Sequence, residues 1–369
     1  MRDRWLAKRL QHFQDDSYQQ VFALSKTRKN PINLMVGQPH FDVPDPIKQA
    51  AITAIREGKN SYTMAQGIRE LREMIGADVR KQLGQAEREV LITSGTLGAL
   101  VLALECTIDS GDEVVIFDPY FLSYLPLIGK VGGVAVLVDT SPDFQIDPDK
   151  LRAALTPRTK AIIVNSPGNP TGVVQRPETM EALAKLAQER GILLISDEIY
   201  STFCFDVPFT SPAQFSEDVL VVSSFSKTHA MTGWRLGYAH GPRKLIDVMG
   251  QVQQFTFVCA PSTAQYAGLT AWPYGMSRYI EDYRHKRDRV MTGLQGHYQF
   301  ARPEGAFYLY IAAPWGSGSE FVAECIKNDL LVLPGKCFSQ WDTHFRLSYA
   351  APDEVLDRGI AVLTKLATR

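Results

Sequence analysis

From about Glu89 the chain repeats one pattern, a short apolar run followed by a helical or loop segment, with runs at residues 90–92, 114–117, 134–138, 161–164, 192–195 and 219–222. The runs are rich in valine, leucine and isoleucine and lack polar alternation, which predicts strands buried on both faces. Helices between them predict a mainly parallel sheet. One crossover helix is legible in detail: Pro177 suits its first turn, Glu178 and Glu181 favour its positive end, Leu183, Leu186 and Ala187 form an apolar stripe, and Gly191 ends it. After about Pro273 the texture changes. A long charged helix over residues 279–294 is followed by an apolar stretch at 306–311, a helix near 320–328, short strands at 331–333 and 345–348, and a terminal helix from Asp353. The pattern predicts an α/β chain in three parts: an N-terminal segment, residues 1–40, packing on a small domain; a large domain, residues 41–275; and a small α+β C-terminal domain, residues 276–369.

Composition narrows the class. The 369 residues are 45% hydrophobic and 21% charged, the balance of a globular chain and not of a disordered or collagen-like one. Lys plus Arg number 39 against 40 Asp plus Glu, so no net field draws the protein to nucleic acid or to an anionic membrane. The cysteines, Cys106, Cys204, Cys259, Cys325 and Cys337, are widely spread with no C-x-x-C pair, which predicts buried free thiols in a reducing compartment. The histidines show no metal spacing. The N-terminus mixes Arg2, Asp3, Arg4 and Lys8, lacks the apolar run of a signal peptide, and no stretch approaches the ~18 apolar residues that span a bilayer. A cytoplasmic protein without nucleic-acid, membrane or metal partners is expected.

In open parallel sheets ligands bind beyond the carboxyl ends of the strands, so the loops after the six runs are where chemistry belongs. After residues 90–92 comes Thr93-Ser94-Gly95-Thr96-Leu97-Gly98, a loop opening an apolar helix whose free amides suit a phosphate. On its own it reads first as a turn that starts a helix. After residues 161–164, Asn165-Ser166-Pro167-Gly168-Asn169-Pro170-Thr171-Gly172 predicts a stiff loop, one of whose X-Pro bonds is a candidate for the cis form, fixing the direction of the Asn169 amide. After residues 192–195, Ser196-Asp197-Glu198-Ile199-Tyr200 puts an acid at a strand's end, where a helix cap is the blander account of Asp197.

The loop after residues 219–222 changes the weighting. It reads Ser223-Ser224-Phe225-Ser226-Lys227-Thr228-His229, with Gly233-Trp234-Arg235-Leu236-Gly237 following. A lysine able to form a Schiff base, an acid for a pyridinium nitrogen, and a cup of serine, arginine and helix amides for a phosphate are the parts a pyridoxal-phosphate enzyme needs.

With Gly37-Gln38-Pro39, the Gly95 loop, Asn169-Pro170-Thr171-Gly172, Asp197-Glu198-Ile199-Tyr200 and the Lys227 and Arg235 segments in this order, nearly the whole chain resembles the class I/II aminotransferases of pyridoxal-phosphate fold type I. The similarity is closest to the prokaryotic aspartate and aromatic aminotransferases. The resemblance implies a large cofactor-binding domain with a mainly parallel, seven-stranded type of sheet flanked by helices, a smaller α+β domain, pyridoxal 5'-phosphate as cofactor, and amino-group transfer from an L-amino acid to a 2-oxo acid. It implies that Lys227 carries the cofactor and moves the substrate proton, that Asp197 pairs with the ring nitrogen, and that Asn169 and Tyr200 bond the phenolic oxygen. Gly95, Thr96, Leu97, Ser224, Ser226 and Arg235 correspond to the phosphate site, and Phe121 to the stacking aromatic. Arg346 corresponds to the arginine that grips the α-carboxylate, with Gly37 and Asn169 beside it. Tyr62 corresponds to a tyrosine that reaches the partner's phosphate, which implies a homodimer with shared active sites. His229, beside Lys227, reads as a structural histidine before a catalytic one.

Two departures bear on substrate. Leu97 is apolar where related bacterial aspartate enzymes can carry a lysine for the second carboxylate, and the segment Gln253-Gln254-Phe255-Thr256-Phe257-Val258-Cys259 offers no arginine for it. Lys26 and Arg28 are the N-terminal cations able to substitute. The rival readings with the same cofactor are a C–S β-lyase and an aminocyclopropane-carboxylate synthase, separated by whether 2-oxoglutarate yields glutamate or the amino acid yields pyruvate and ammonia.

Overall fold

A computed structural model describes residue 7, residue 9 and residues 29–367. Of the expectations above, those on the rest of the N-terminal segment, Lys26 and Arg28 included, lie outside the described residues. The chain runs through β1 (Ile32–Asn33), α1 (Asp45–Arg56), α2 (Arg69–Leu83), β2 (Arg88–Thr93), α3 (Gly95–Thr107), β3 (Glu113–Asp118), α4 (Tyr124–Lys130), β4 (Val134–Asp139), α5 (Pro148–Ala154), β5 (Thr159–Asn165), α6 (Pro177–Arg190), β6 (Leu193–Asp197), β7 (Leu220–Ser224), α7 (Phe225–Thr228) and β8 (Gly237–Pro242). Then come α8 (Arg243–Thr256), α9 (Ser262–Ala271), α10 (Ser277–Leu294), β9 (Tyr308–Ala312), α11 (Gly318–Lys327), β10 (Leu330–Leu331), β11 (Leu333–Pro334), β12 (His344–Ser348) and α12 (Asp353–Leu366).

Seven strands form one sheet in the order β2-β8-β7-β6-β5-β3-β4. All six apolar runs are strands of it. β3, β4, β5, β6 and β7 pair in parallel, whereas β8 is antiparallel to both β7 and β2. Alternate side chains feed two cores, as period-2 geometry requires: Ile116, Ile163, Ile195 and Val222 face α3, while Val115, Ile162, Leu194 and Val221 face α6. α3 is apolar around much of its circumference because it is wedged against the sheet, with Ala99, Leu100, Leu102, Ala103 and Leu104 all buried. α6 has Pro177 in its first turn and stops where Gly191 turns left-handed at φ 63°.

The structure departs from the expected strand pattern in two places. β4 is an edge strand with Val134 half exposed, so a run of that kind does not require burial on both faces. β8 gave no apolar run because it carries Gly237, His240, Gly241 and Pro242, yet it closes the sheet toward β2. Beyond residue 276, β9 and β12 form the antiparallel pair of a second sheet, and the strand expected at 331–333 is split into β10, parallel to β1, and β11, antiparallel to β12. A separate core gathers here, with Leu34, Met35, Tyr283, Leu309, Phe321, Phe345 and Leu356 within it. α11 begins on a reciprocal cap between Ser317 and Glu320. All five cysteines are free; Cys325 and Cys337 are buried and the other three only partly so. Among the described residues, no helix is long and apolar enough to cross a membrane.

Candidate active site

Three neighbouring parallel strands end on the same line. β5 delivers Asn165, β6 delivers Asp197, which is its register partner, and β7 delivers Ser224. β2 points the same way as β7, since β8 lies antiparallel between them, and it delivers the Ser94 and Gly95 turn into α3. At this end of the sheet a cavity of about 380 Å³ is lined by Gly37, Thr96, Leu97, Phe121, Asn169, Asp197, Tyr200, Ser224, Ser226, Lys227, Arg235 and Arg346. Twelve side chains and backbones singled out from the sequence thus meet in one place. Gly95, next to Thr96, and Tyr62 do not line it, and Tyr62 is 84% exposed.

The Lys227 end is built by a short turn. Ser224 ends β7 and its Oγ accepts from the Ser226 amide, which starts α7 and projects Lys227 into the cavity. Lys227 Nζ donates to the Gly37 carbonyl at 2.6 Å. Burial, with the nearby charges of Arg346 and Arg235, pulls its ammonium down to about 8 against the opposing pull of Asp197. Asp197 is 3% exposed. Burial pushes its carboxyl up to about 6, although it accepts from Tyr124 Oη at 2.8 Å and from the Ile199 amide.

The opposite end gathers groups of the kind that hold an anion. Gly95 has φ 70°, and a Cβ there would stand 2.5 Å from Arg235 Nη2, so the close approach of that guanidinium needs glycine. Arg235 is itself left-handed, at φ 53°, and is anchored by bonds from Nη1 to the Thr232 carbonyl and from Nη2 to the Ser94 carbonyl. Thr96 Oγ1 is buried with no hydrogen-bond partner among the described residues. A guanidinium, an unused hydroxyl and the first amides of a 13-residue helix meet here.

A third cluster sits under the N-terminal strand. Arg346, on β12, is 4% exposed and donates from Nη1 to Asn169 Oδ1 at 2.9 Å and from Nη2 to the Met35 carbonyl. Its guanidinium contacts the rings of Tyr308 and Phe338, 4.5 and 4.6 Å from their centres. Asn169 is oriented by its own amide, which donates to Asn165 Oδ1, and Asn165 Nδ2 donates to the Asp197 carbonyl. Both Ser166-Pro167 and Asn169-Pro170 are cis in the loop that holds it.

This geometry, with an enclosed lysine amine, a buried acid and an anion cradle on the carboxyl ends of a parallel sheet, sets the frame for comparison. Residues 29–363 match the family model "Aminotransferase class I and II". The chain belongs to that family. A "Probable aspartate aminotransferase" of Methanocaldococcus jannaschii is 34% identical over 98% of this chain and 99% of its own length. The "Aspartate/prephenate aminotransferase" of Thermus thermophilus is 37% identical over 92% and 91% of the two. Among solved structures, the Thermus thermophilus aspartate aminotransferase with maleate superposes with a TM-score of 0.92 at 34% identity, covering 98% of this chain and 99% of that one. The aromatic aminotransferase of Pyrococcus horikoshii does so at 0.87 and 30%, covering 94% and 98%. This class I/II enzyme is an aspartate/aromatic aminotransferase-like transaminase, and its family uses pyridoxal phosphate.

Sequence reasoning missed three polar residues of the site. Tyr124 bonds Asp197, Asn165 orients both Asn169 and Asp197, and Tyr308 bonds Tyr200 Oη at 2.7 Å. Asn165 alone stood in a noted loop. His229 is buried against Phe225, is pulled down to about 4 by burial, and lines a different cavity from Lys227. That position supports its reading as a structural residue.

Proposed function

We propose that this transaminase holds pyridoxal phosphate on Lys227 and uses the residues around it to exchange amino groups between L-amino acids and 2-oxo acids. The observation that carries the reading is the Lys227 amine enclosed in one cavity with Asp197 and Arg235, where burial lowers its proton affinity. The residues fit the group: the unused Thr96 hydroxyl and the Arg235 guanidinium suit a phosphate, and the buried Asp197 carboxyl suits a protonated ring nitrogen. When bound, the cofactor supplies an electron sink for the pair left on the substrate Cα. The Asp197 carboxylate, fixed by Tyr124, would accept a hydrogen bond from the protonated ring nitrogen and keep it protonated. Tyr200 and the Asn169 amide donate to the phenolic oxygen; Asn169 Oδ1 is already taken by Arg346, which leaves its Nδ2 for this bond. Phe121, which lines the same cavity, would cover one face of the ring. Arg346 grips the α-carboxylate with its planar fork, and Gly37, lacking a side chain, lets that group come close. Lys227 carries the proton at Cα, a task suited to an amine lowered to about 8, because roughly a tenth to a fifth of it is neutral near physiological pH, far more than of an ordinary lysine.

The test is borohydride reduction of the holoenzyme followed by peptide mapping, with the label expected on Lys227 alone. Because the neutral amine is the nucleophile, cofactor uptake by the apoprotein is expected to quicken as pH rises through about 8 and then level off. Label on another lysine, or none, removes Lys227 from this role.

The same reading makes the enzyme a homodimer. Tyr62 is exposed and outside its own chain's cavity, and Met64 and Phe255 are 70% and 90% exposed, an apolar surface suited to a second copy. Tyr62 then reaches the phosphate bound by that copy. Mixing Lys227→Ala with Tyr62→Ala is expected to restore roughly a quarter of the wild-type rate, since each random hybrid has one intact site. No restoration in mixed dimers refutes the exchange.

A further inference from the structure

We infer that Tyr308 is a positioning residue of the reaction, whose hydroxyl fixes the direction in which Tyr200 donates and whose ring fixes the plane of Arg346. The inference rests on the cofactor reading above.

Tyr308 opens β9, is 1% exposed, and lines the cavity. Three elements of the site converge on it. Its Oη lies 2.7 Å from Tyr200 Oη. Its ring centre lies 4.5 Å from the central carbon of the Arg346 guanidinium, and that of Phe338 lies 4.6 Å from the same carbon. A Cβ on Gly37 would come within 2.1 Å of the Tyr308 hydroxyl, so the packing of that hydroxyl by itself already requires glycine at 37, the residue whose carbonyl accepts from Lys227.

Proton accounting sets the direction of the tyrosine pair. Each phenol owns one proton, and the bond between the two hydroxyls uses one of them. If Tyr200 spent its proton on Tyr308, it would offer only lone pairs to the cofactor's phenolic oxygen, and two acceptors would face each other. With Tyr308 as donor, the Tyr200 proton is free for that oxygen, and the accepted bond polarises Tyr200 into a stronger donor. Arg346 favours this arrangement, because a cation over the Tyr308 ring strengthens the ring's O–H as a donor. The ring does a second job. A bidentate grip on a carboxylate depends on the plane of the guanidinium, and the close contact of the Tyr308 and Phe338 rings restricts how Arg346 can turn.

The two jobs separate by substitution. Tyr308→Phe keeps the ring and removes the donor; Tyr308→Leu removes both. A bond donated to the phenolic oxygen stabilises it as an anion and so lowers the proton affinity of the conjugated nitrogen linking Lys227 to the cofactor. Tyr308→Phe is therefore expected to raise the midpoint of the holoenzyme's visible absorption titration by roughly 0.5 to 1 pH unit. It is also expected to lower kcat about three- to tenfold with the amino-acid KM within about twofold, because the Arg346 stack remains. Tyr308→Leu is expected to raise KM by about tenfold as well. Since Tyr308 acts through Tyr200, the midpoint of the Tyr200→Phe/Tyr308→Phe double variant should equal that of Tyr200→Phe alone.

A merely structural tyrosine would lower the melting temperature or the yield of active protein and leave the midpoint where it was. A wild-type cofactor band with an unmoved midpoint in Tyr308→Phe, or shifts that simply add in the double variant, overturns the Tyr308 role alone. A wild-type protein that takes up no cofactor overturns the reading beneath it as well.

Discussion

Asp197→Asn is expected to retain the cofactor and lose about a thousandfold in turnover, the scale set by removing a preorganised charge from a dry site. The acid is held on all sides: Tyr124 Oη and the Ile199 amide donate to its two oxygens, and Asn165 Nδ2 holds its backbone carbonyl. Asparagine is isosteric, so the fold and the phosphate cradle should survive. A neutral amide leaves the ring nitrogen without the charge that keeps its proton, and the electron sink weakens in the step that needs it. Absorbance measures cofactor content, and single-turnover rates with an amino acid measure the loss. A rate within tenfold of wild type excludes Asp197 from this role.

The same substitution has a stability signature of opposite sign. Asp197 has its carboxyl raised from 3.8 to about 6, chiefly by burial. Between those values the folded apoprotein binds a proton that the unfolded chain does not, so this group's contribution to stability falls as pH rises through the window. Apoprotein carrying Asp197→Asn should therefore be at least as stable as wild type at pH 8, although its turnover is lost. A variant that is both inactive and strongly destabilised at pH 8 points to damaged packing instead.

How much was legible in the sequence depended on how local each signal was. Six strands were legible because each carries a continuous run of apolar residues, buried in all but the edge strand β4, and the crossover helix because Pro177 and Gly191 mark its ends. β8 was not: a Cβ added at Gly237 would stand 2.6 to 2.8 Å from backbone atoms of Gly95 and Ser223, and the glycine that avoids this clash also interrupts the strand's apolar pattern. Lys227, Asp197 and Asn169 could be found because strand-end loops carry them in short motifs. Tyr124 and Tyr308 could not. Their partners are 73 and 108 residues away in sequence, and nothing in the neighbourhood of either distinguishes a phenol that bonds the site from one that fills a core. The Tyr200 and Tyr308 rings do both, since they also belong to the aromatic cluster around Phe203 and Phe307.

Arg346→Leu is expected to lower kcat/KM by about a thousandfold for every amino donor alike, because the group it binds is common to all of them. Leaving a buried carboxylate without its guanidinium costs about 4 kcal/mol, which is a factor of about a thousand. Arg346→Lys keeps the charge without the fork and should fall between the two. The donor side chain meets different surroundings. Among the described residues, the cations lining the cavity are Lys227, Arg235 and Arg346, the first two proposed for the cofactor and the third for the α-carboxylate. The remaining wall includes Met35, Val36, Leu97 and Leu122, with Val36 and Leu97 42% and 38% exposed at the mouth. A second carboxylate set against that wall loses its water without gaining a partner. Wild-type enzyme is therefore expected to use phenylalanine or methionine with kcat/KM at least equal to that for aspartate. Measuring aspartate, alanine, methionine and phenylalanine with wild type and Arg346→Leu separates the two contributions. A uniform loss across donors assigns Arg346 to the α-carboxylate, and a loss confined to aspartate would move it to the side chain. A strong wild-type preference for aspartate would mean that a cation outside this wall reaches the donor side chain, and the apolar wall would not be what selects the substrate.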